Sequence, residues 1–159
     1  MAETPIIAPA TNTTVPGAPI FISYRREDSA NGARLLANAL REHYDESAVF
    51  FDTRSIEVGS NWPDDLAAAL AAARVVLVLV GKHWFVGDPV FNGKRIDDDQ
   101  YWVHREVSCA LNSVSITTIP VLLNIQAPPP QAFLVPLRPL SELQAFPFVP
   151  TIRTLTWLR

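Results

Sequence analysis

Short runs of apolar, β-branched residues alternate along this chain with stretches whose apolar positions recur every three or four residues, the rhythm of a layered α/β protein. Ile20-Phe21-Ile22 is one such run and leads into Ser23-Tyr24-Arg25-Arg26, the pattern of a buried parallel strand. Leu36, Ala39, Leu40 and His43 then recur at helical spacing, with Asp28 or Ser29 placed to cap that helix. Ala48-Val49-Phe50-Phe51-Asp52 predicts a second strand. Thr53 to Asn61, which contains Gly59, has no period and predicts a loop. Ser60 or Asn61 would cap a helix with Pro63 in its first turn and Asp64 and Asp65 at its positive dipole end. The alanines and leucines that follow, through Ala73, are strong helix formers. Val75-Val76-Leu77-Val78-Leu79-Val80 is apolar on both faces and predicts a central strand. Gly81 to about Gln100 predicts a long loop, Tyr101 to Ser113 a helix, and Thr117 to Leu123 a fourth strand. Seven of the 14 prolines fall between Pro128 and Pro150, which predicts an irregular stretch with one short helix near Ser141 to Phe146. Arg153 to Leu158 is expected to be the last strand, and there is no internal repeat.

The order β-α-β-α-β-α-β-(α)-β requires right-handed crossovers and helices on both faces of one sheet. We expect a flavodoxin-like, doubly wound, five-stranded parallel sheet of order 2-1-3-4-5. Ligands of such sheets bind outside the carboxyl ends of strands one and three, where the winding reverses. Ser23 to Arg26 and Gly81 to Trp84 would stand at the mouth of that site.

Length and charge narrow the classes. The 159 residues suit one domain over 19–159, preceded by a Pro-, Thr- and Ala-rich segment over 1–18 that reads as a disordered tail or linker. A net charge of -3 with only Lys82 and Lys94 as lysines argues against nucleic acid as a direct ligand. The single Cys109 allows no intrachain disulfide and suits a reducing compartment. The N-terminus lacks a signal-peptide pattern, and the longest apolar run, Val75 to Gly81, is too short to span a bilayer. A cytoplasmic location with no membrane contact is expected.

Several chemistries lack their residues. No G-x-G-x-x-G follows the first strand and there is no Walker-type phosphate loop. A phospho-acceptor domain of this sheet order needs carboxylates after strands one and three. This chain instead has Arg25 and Arg26 after the first, and Gly81-Lys82-His83 after the third, which favours holding an anion. His43, His83 and His104 are isolated in spacing, so no metal site is expected, and Cys109 has no visible activating partner. The informative helix carries Val103, Val107, Ala110, Leu111 and Val114 as one apolar stripe. At about 100° per residue, Glu106 lies roughly 80° from the centre of that stripe, with Trp102 on the same side and Arg105 turned toward water. Two readings of Glu106 stay open on these grounds: a salt-bridged residue flanking the core, or a carboxylate held at the core edge for chemistry.

Three segments carry a resemblance. Ile20-Phe21-Ile22-Ser23-Tyr24-Arg25-Arg26 resembles the first-strand signature of Toll/interleukin-1 receptor (TIR) domains. Phe50-Phe51-Asp52, followed by Ile56-Glu57-Val58-Gly59, resembles their second strand and its BB loop. Trp102-x-x-x-Glu106 is similar to the tryptophan and glutamate of the TIR enzymes that cleave NAD⁺. The likeness runs from about Pro19 to Asn124, and more loosely to Leu158.

The resemblance implies an NAD⁺ glycohydrolase that releases nicotinamide and ADP-ribose or a cyclic ADP-ribose isomer, in immune or cell-death signalling, with NAD⁺ as substrate and no further cofactor. It implies Glu106 as the catalytic carboxylate and Trp102 as a stacking partner of the base or ribose. Tyr24, Arg25 and Arg26 would line the ribose and diphosphate side, with Gly59 and Trp62 near the nicotinamide. Core packing remains the alternative role for Trp62 and Tyr24. The loop from Thr53 to Trp62, with its apolar pair Ile56 and Val58, is expected to mediate self-association with other TIR domains. Family members usually close with a helix after the last strand. Its absence before Arg159 would leave that strand uncovered, or covered by an additional domain or partner chain. Two rival functions stand beside the enzyme: a non-catalytic TIR adaptor working by homotypic association, and a nucleoside or nucleotide N-glycosidase of similar fold.

Overall fold

Parallel strands need crossover segments, and here each apolar run is separated from the next by a helix. The computed structural model describes residues 19–51, 64–88, 93–98 and 101–150. The sheet strands are β1 (Ile20–Tyr24), β2 (Val49–Phe50), β3 (Val75–Val80), β4 (Thr117–Leu123) and β5 (Phe146–Phe148). They pair in the order β2-β1-β3-β4-β5, all parallel. The helices are α1 (Arg26–His43), α2 (Asp64–Ala72) and α3 (Trp102–Asn112). This is the flavodoxin-like order expected, with β1 and β3 meeting at the point where the winding reverses.

Alternation along the strands divides the core into two layers. Phe21, Val76, Val78 and Val80 pack with Leu66 and Leu70 of α2 and Val103 and Val107 of α3. Ile22, Leu79, Val121 and Leu123 pack on the other face with Ala33, Leu36 and Ala37 of α1. β3 is apolar throughout because it serves both layers. Gly32 lets α1 lie close to β4: a Cβ there would stand 2.7 Å from Cδ1 of Leu123.

Several expectations are corrected. Among the described residues the fifth strand of the sheet is Phe146–Phe148; the strand expected at Arg153 to Leu158 lies outside the described residues. Three residues around Pro147 carry no readable period, and a proline is tolerated at the last position of the sheet order because its missing N–H costs no ladder bond there. The short helix expected at Ser141 to Phe146 is a 3₁₀ helix over Val135–Glu142 instead. Pro136 and Pro139 disfavour α-helical bonding, while Leu137 and Leu140, three apart, both turn into the core, as a three-residue turn requires. Val114 leaves the expected stripe altogether, since α3 ends at Asn112 and Val114 is fully exposed.

The long connection after β3 is more structured than a loop. It forms a 3₁₀ turn at Lys82–Phe85, an antiparallel ladder of Gly87–Asp88 with Gly93–Lys94, and a second 3₁₀ turn at Arg95–Asp97. Trp84 and Ile96 plug it into the core, and Nδ1–H of the buried His104 donates to the Ile96 carbonyl at 2.7 Å. The tail over 1–18 and the expected caps Ser60 and Asn61 lie outside the described residues. Among the described residues, no helix is long and apolar enough to cross a membrane.

Candidate functional site

Ser23 sits near the carboxyl end of β1, in register with Val78 of β3 and on the face covered by α2 and α3. It is the polar exception on that face of an otherwise apolar strand. Across from it, α3 buries Val103, Val107 and Ala110 against the sheet and carries Glu106 inward beside them. Glu106 is 8% exposed and Ser23 1%. The Ser23 hydroxyl donates to Oε2 of Glu106 at 2.6 Å. A carboxylate removed from water is tolerable only with such donors. Glu106 therefore lies at the buried edge of the core and not on the open surface, which is compatible with a structural carboxylate as well as a reacting one.

Trp102 is half-buried against the same core, one helical turn before Glu106. Arg105 does not point away into water as expected. Its guanidinium lies 5.9 Å from the centroid of the Trp102 ring and is half-buried there, because residues three apart on a helix are neighbours and the indole face attracts a cation.

Arg25 is buried at the junction of β1 and α1. Its Nε donates to Glu27 at 3.2 Å and its Nη1 to the main-chain carbonyl of His83 at 2.7 Å. The guanidinium also lies 5.9 Å from the ring centroid of Tyr101, whose hydroxyl donates to the same Glu27 oxygen at 3.4 Å. One arginine therefore ties the start of α1, the turn after β3 and the residue before α3. Tyr24 points the other way, into the α1 layer, where it packs on Phe51 with ring centroids 5.1 Å apart. Arg26 is exposed in the first turn of α1. The structure thus brings Ser23 and Glu106 together, gathers Arg25 with Tyr101, and separates Tyr24 from them. Gly59 and Trp62 lie outside the described residues.

An open cavity of about 380 Å³ lies at the carboxyl ends of the strands, lined by Glu27, Asp28, Gly81, Lys82, His83, Leu123 and Asn124. Its wall carries both acidic and basic side chains. Asp28 does not cap α1 as expected; α1 begins at Arg26 without a side-chain cap. The Asp28 carboxylate instead accepts the His83 main-chain N–H at 2.9 Å and the Ser29 hydroxyl at 2.7 Å. Among the described residues, no group of three or more His, Cys, Asp or Glu side chains could hold a metal ion, and Cys109 is exposed on α3.

Of the residues gathered here, sequence reasoning placed Ser23 at the mouth of the site without pairing it to Glu106, and it missed the parts played by Glu27, Asp28 and Tyr101. For Ser23 a signal existed: a hydroxyl at an inward position of a central strand needs a buried partner.

Comparison with known proteins adds the family. The family model for the TIR domain matches residues 20–151. No match is found among the curated proteins. Among solved structures, the TIR domains of the activated Roq1 resistosome directly recognizing the pathogen effector XopQ are similar, with a TM-score of 0.50 at 18% sequence identity. That likeness, which concerns the fold, covers 70% of this chain and 60% of the other.

Proposed function

Because the chain belongs to the TIR domain family, we propose that it is an NAD⁺ glycohydrolase acting through Glu106. The observation that supports this reading most is the buried carboxylate of Glu106, held by Ser23 at the carboxyl end of β1 and one turn from Trp102. Nicotinamide in NAD⁺ is already cationic, so it departs without an acid to protonate it. The C1′–N bond breaks, its electron pair passes to the nicotinamide nitrogen, and C1′ is left as an oxocarbenium. A preorganised carboxylate in a water-poor site stabilises that cation more than it stabilises the bound substrate. Water adding at C1′ and losing a proton gives ADP-ribose; capture by a nucleophile of the same molecule gives a cyclic isomer.

In this account Trp102 stacks on the base or ribose and shields the cation. Arg25 and Arg26 serve the ribose and diphosphate side, with two Arg25 nitrogens already committed to Glu27 and the His83 carbonyl, whereas Tyr24, packed on Phe51 in the α1 layer, is left a core role. Gly59 and Trp62 serve the nicotinamide end. Self-association through the loop from Thr53 to Trp62, a cytoplasmic location and a role in immune or cell-death signalling belong to the same proposal. The test is to incubate concentrated protein with NAD⁺ and follow nicotinamide, with competing nucleosides present. Nicotinamide release that nucleosides do not suppress is expected. Preferential cleavage of a nucleoside would favour the N-glycosidase, and no cleavage beside intact self-association would favour the adaptor.

A further inference from the structure

We propose that Ser23 is the positioning residue of Glu106, fixing its carboxyl group at the carboxyl end of β1. The inference rests on the reading of Glu106 as the reacting carboxylate and deepens it. Three observations carry it. The Oγ–Oε2 separation is 2.6 Å, within the range of a short hydroxyl–carboxyl hydrogen bond. Both partners are buried, so neither water nor another rotamer competes on equal terms. Ser23 also stands on β1, which is paired on both sides, to β2 and to β3, so the donor is mounted on the interior of the sheet. Glu106 has three rotatable side-chain bonds, and a donor at Oε2 restricts them.

A serine here has no packing advantage. Its neighbours on the same face, Phe21 of its own strand and Val78 of the adjacent one, are apolar, and an alanine would fill nearly the same space. The hydroxyl is accounted for by the carboxylate it meets.

Ser23→Ala deletes one oxygen and creates almost no cavity, and Ser23→Thr keeps the donor and adds one methyl group. With NAD⁺ as substrate, Ser23→Ala is expected to lower kcat on the order of tenfold to a hundredfold, as loss of reactive geometry does. KM should stay within about twofold, because binding groups elsewhere are untouched. Ser23→Thr should recover most of kcat. A second readout needs no turnover: in protein carrying ¹³C-labelled glutamate, the Glu106 carboxyl should titrate about one pH unit higher in Ser23→Ala, since a bond to the charged form is lost. A folded Ser23→Ala protein with kcat within about twofold of the parent, or with the Glu106 titration unmoved, overturns the proposal. The titration also separates the two claims. Were the parent chain inert toward NAD⁺, the reading of the reaction would fall, while the titration would still report whether Ser23 holds Glu106.

Discussion

The carboxylate of Asp28 occupies the space where a side chain at position 81 would begin. A Cβ on Gly81 would collide with Oδ2 of Asp28 and stand 2.7 Å from its Cγ. Gly81 has φ -106 and ψ 174, extended backbone open to any residue, so space and not backbone freedom demands glycine here. The same Oδ2 holds the N–H of His83, and Arg25 holds the carbonyl of His83. Both main-chain polar groups of one residue after β3 are thus fixed by side chains from the β1–α1 junction. This is how the two strand ends at the winding reversal are locked together.

Gly81→Ala should push the Asp28 carboxylate off the His83 N–H and destabilise the fold by about 1–2 kcal/mol, the cost of a lost charge-assisted bond to a part-buried N–H. In an Asp28→Ala background the same change should cost clearly less. Urea denaturation of the four proteins checks this: a coupling of about 1 kcal/mol is expected, and strictly additive losses would contradict the collision.

Arg25→Ala should cost about 2 kcal/mol, because the His83 carbonyl and Glu27 each lose their shorter donor and are left with the Val86 N–H and the Tyr101 hydroxyl, both at 3.4 Å. Arg25→Lys should recover only part of that loss, since an ammonium cannot span two partners in the planar fork of a guanidinium. Midpoints of urea unfolding at equal m-value distinguish the three proteins. A lysine variant as stable as the parent would show that charge alone suffices.

How much of this was legible in the sequence follows from how many constraints each residue serves. β3 and β4 have the expected bounds, because runs covered on both faces are apolar without interruption. The buried edge of α3 at Glu106 was also readable from helical period. β5 was not, since three residues containing a proline leave no pattern. Asp28 looked like a helix cap because local chemistry favours that role, but its partner, the His83 N–H, is 55 residues away. Tyr101 escaped for the same reason: its meeting with Arg25 and Glu27 is made by the packing of α3 against β1.

Trp102→Ala should slow base release moderately and shift products toward linear ADP-ribose. On the proposed reading the half-buried indole shields the ribosyl cation from water, so its removal would admit hydrolysis. Mass spectrometry of the products reads the ratio, and an unchanged ratio would contradict the shielding role.

Cleavage should rise more steeply than linearly with protein concentration if the loop from Thr53 to Trp62 completes the site of a neighbouring copy. Gly59→Pro, which fixes φ near about -65° and removes an N–H, should lower both assembly and activity with little loss of thermal stability. Specific activity that stays flat over a hundredfold dilution, with this variant fully active, would contradict the assembly requirement.

The central claim is that the carboxylate of Glu106 stabilises the developing ribosyl cation. The direct measurement is nicotinamide release from NAD⁺ by the parent protein and by Glu106→Gln, at equal concentration and with near-ultraviolet circular dichroism confirming that both are folded. Glutamine keeps the size and an oxygen for Ser23 while removing the charge. The expected result is a loss of at least about 10²–10³ in rate, the usual effect of deleting one electrostatic stabiliser of a transition state. A folded Glu106→Gln protein that releases nicotinamide at the parent rate would contradict the account.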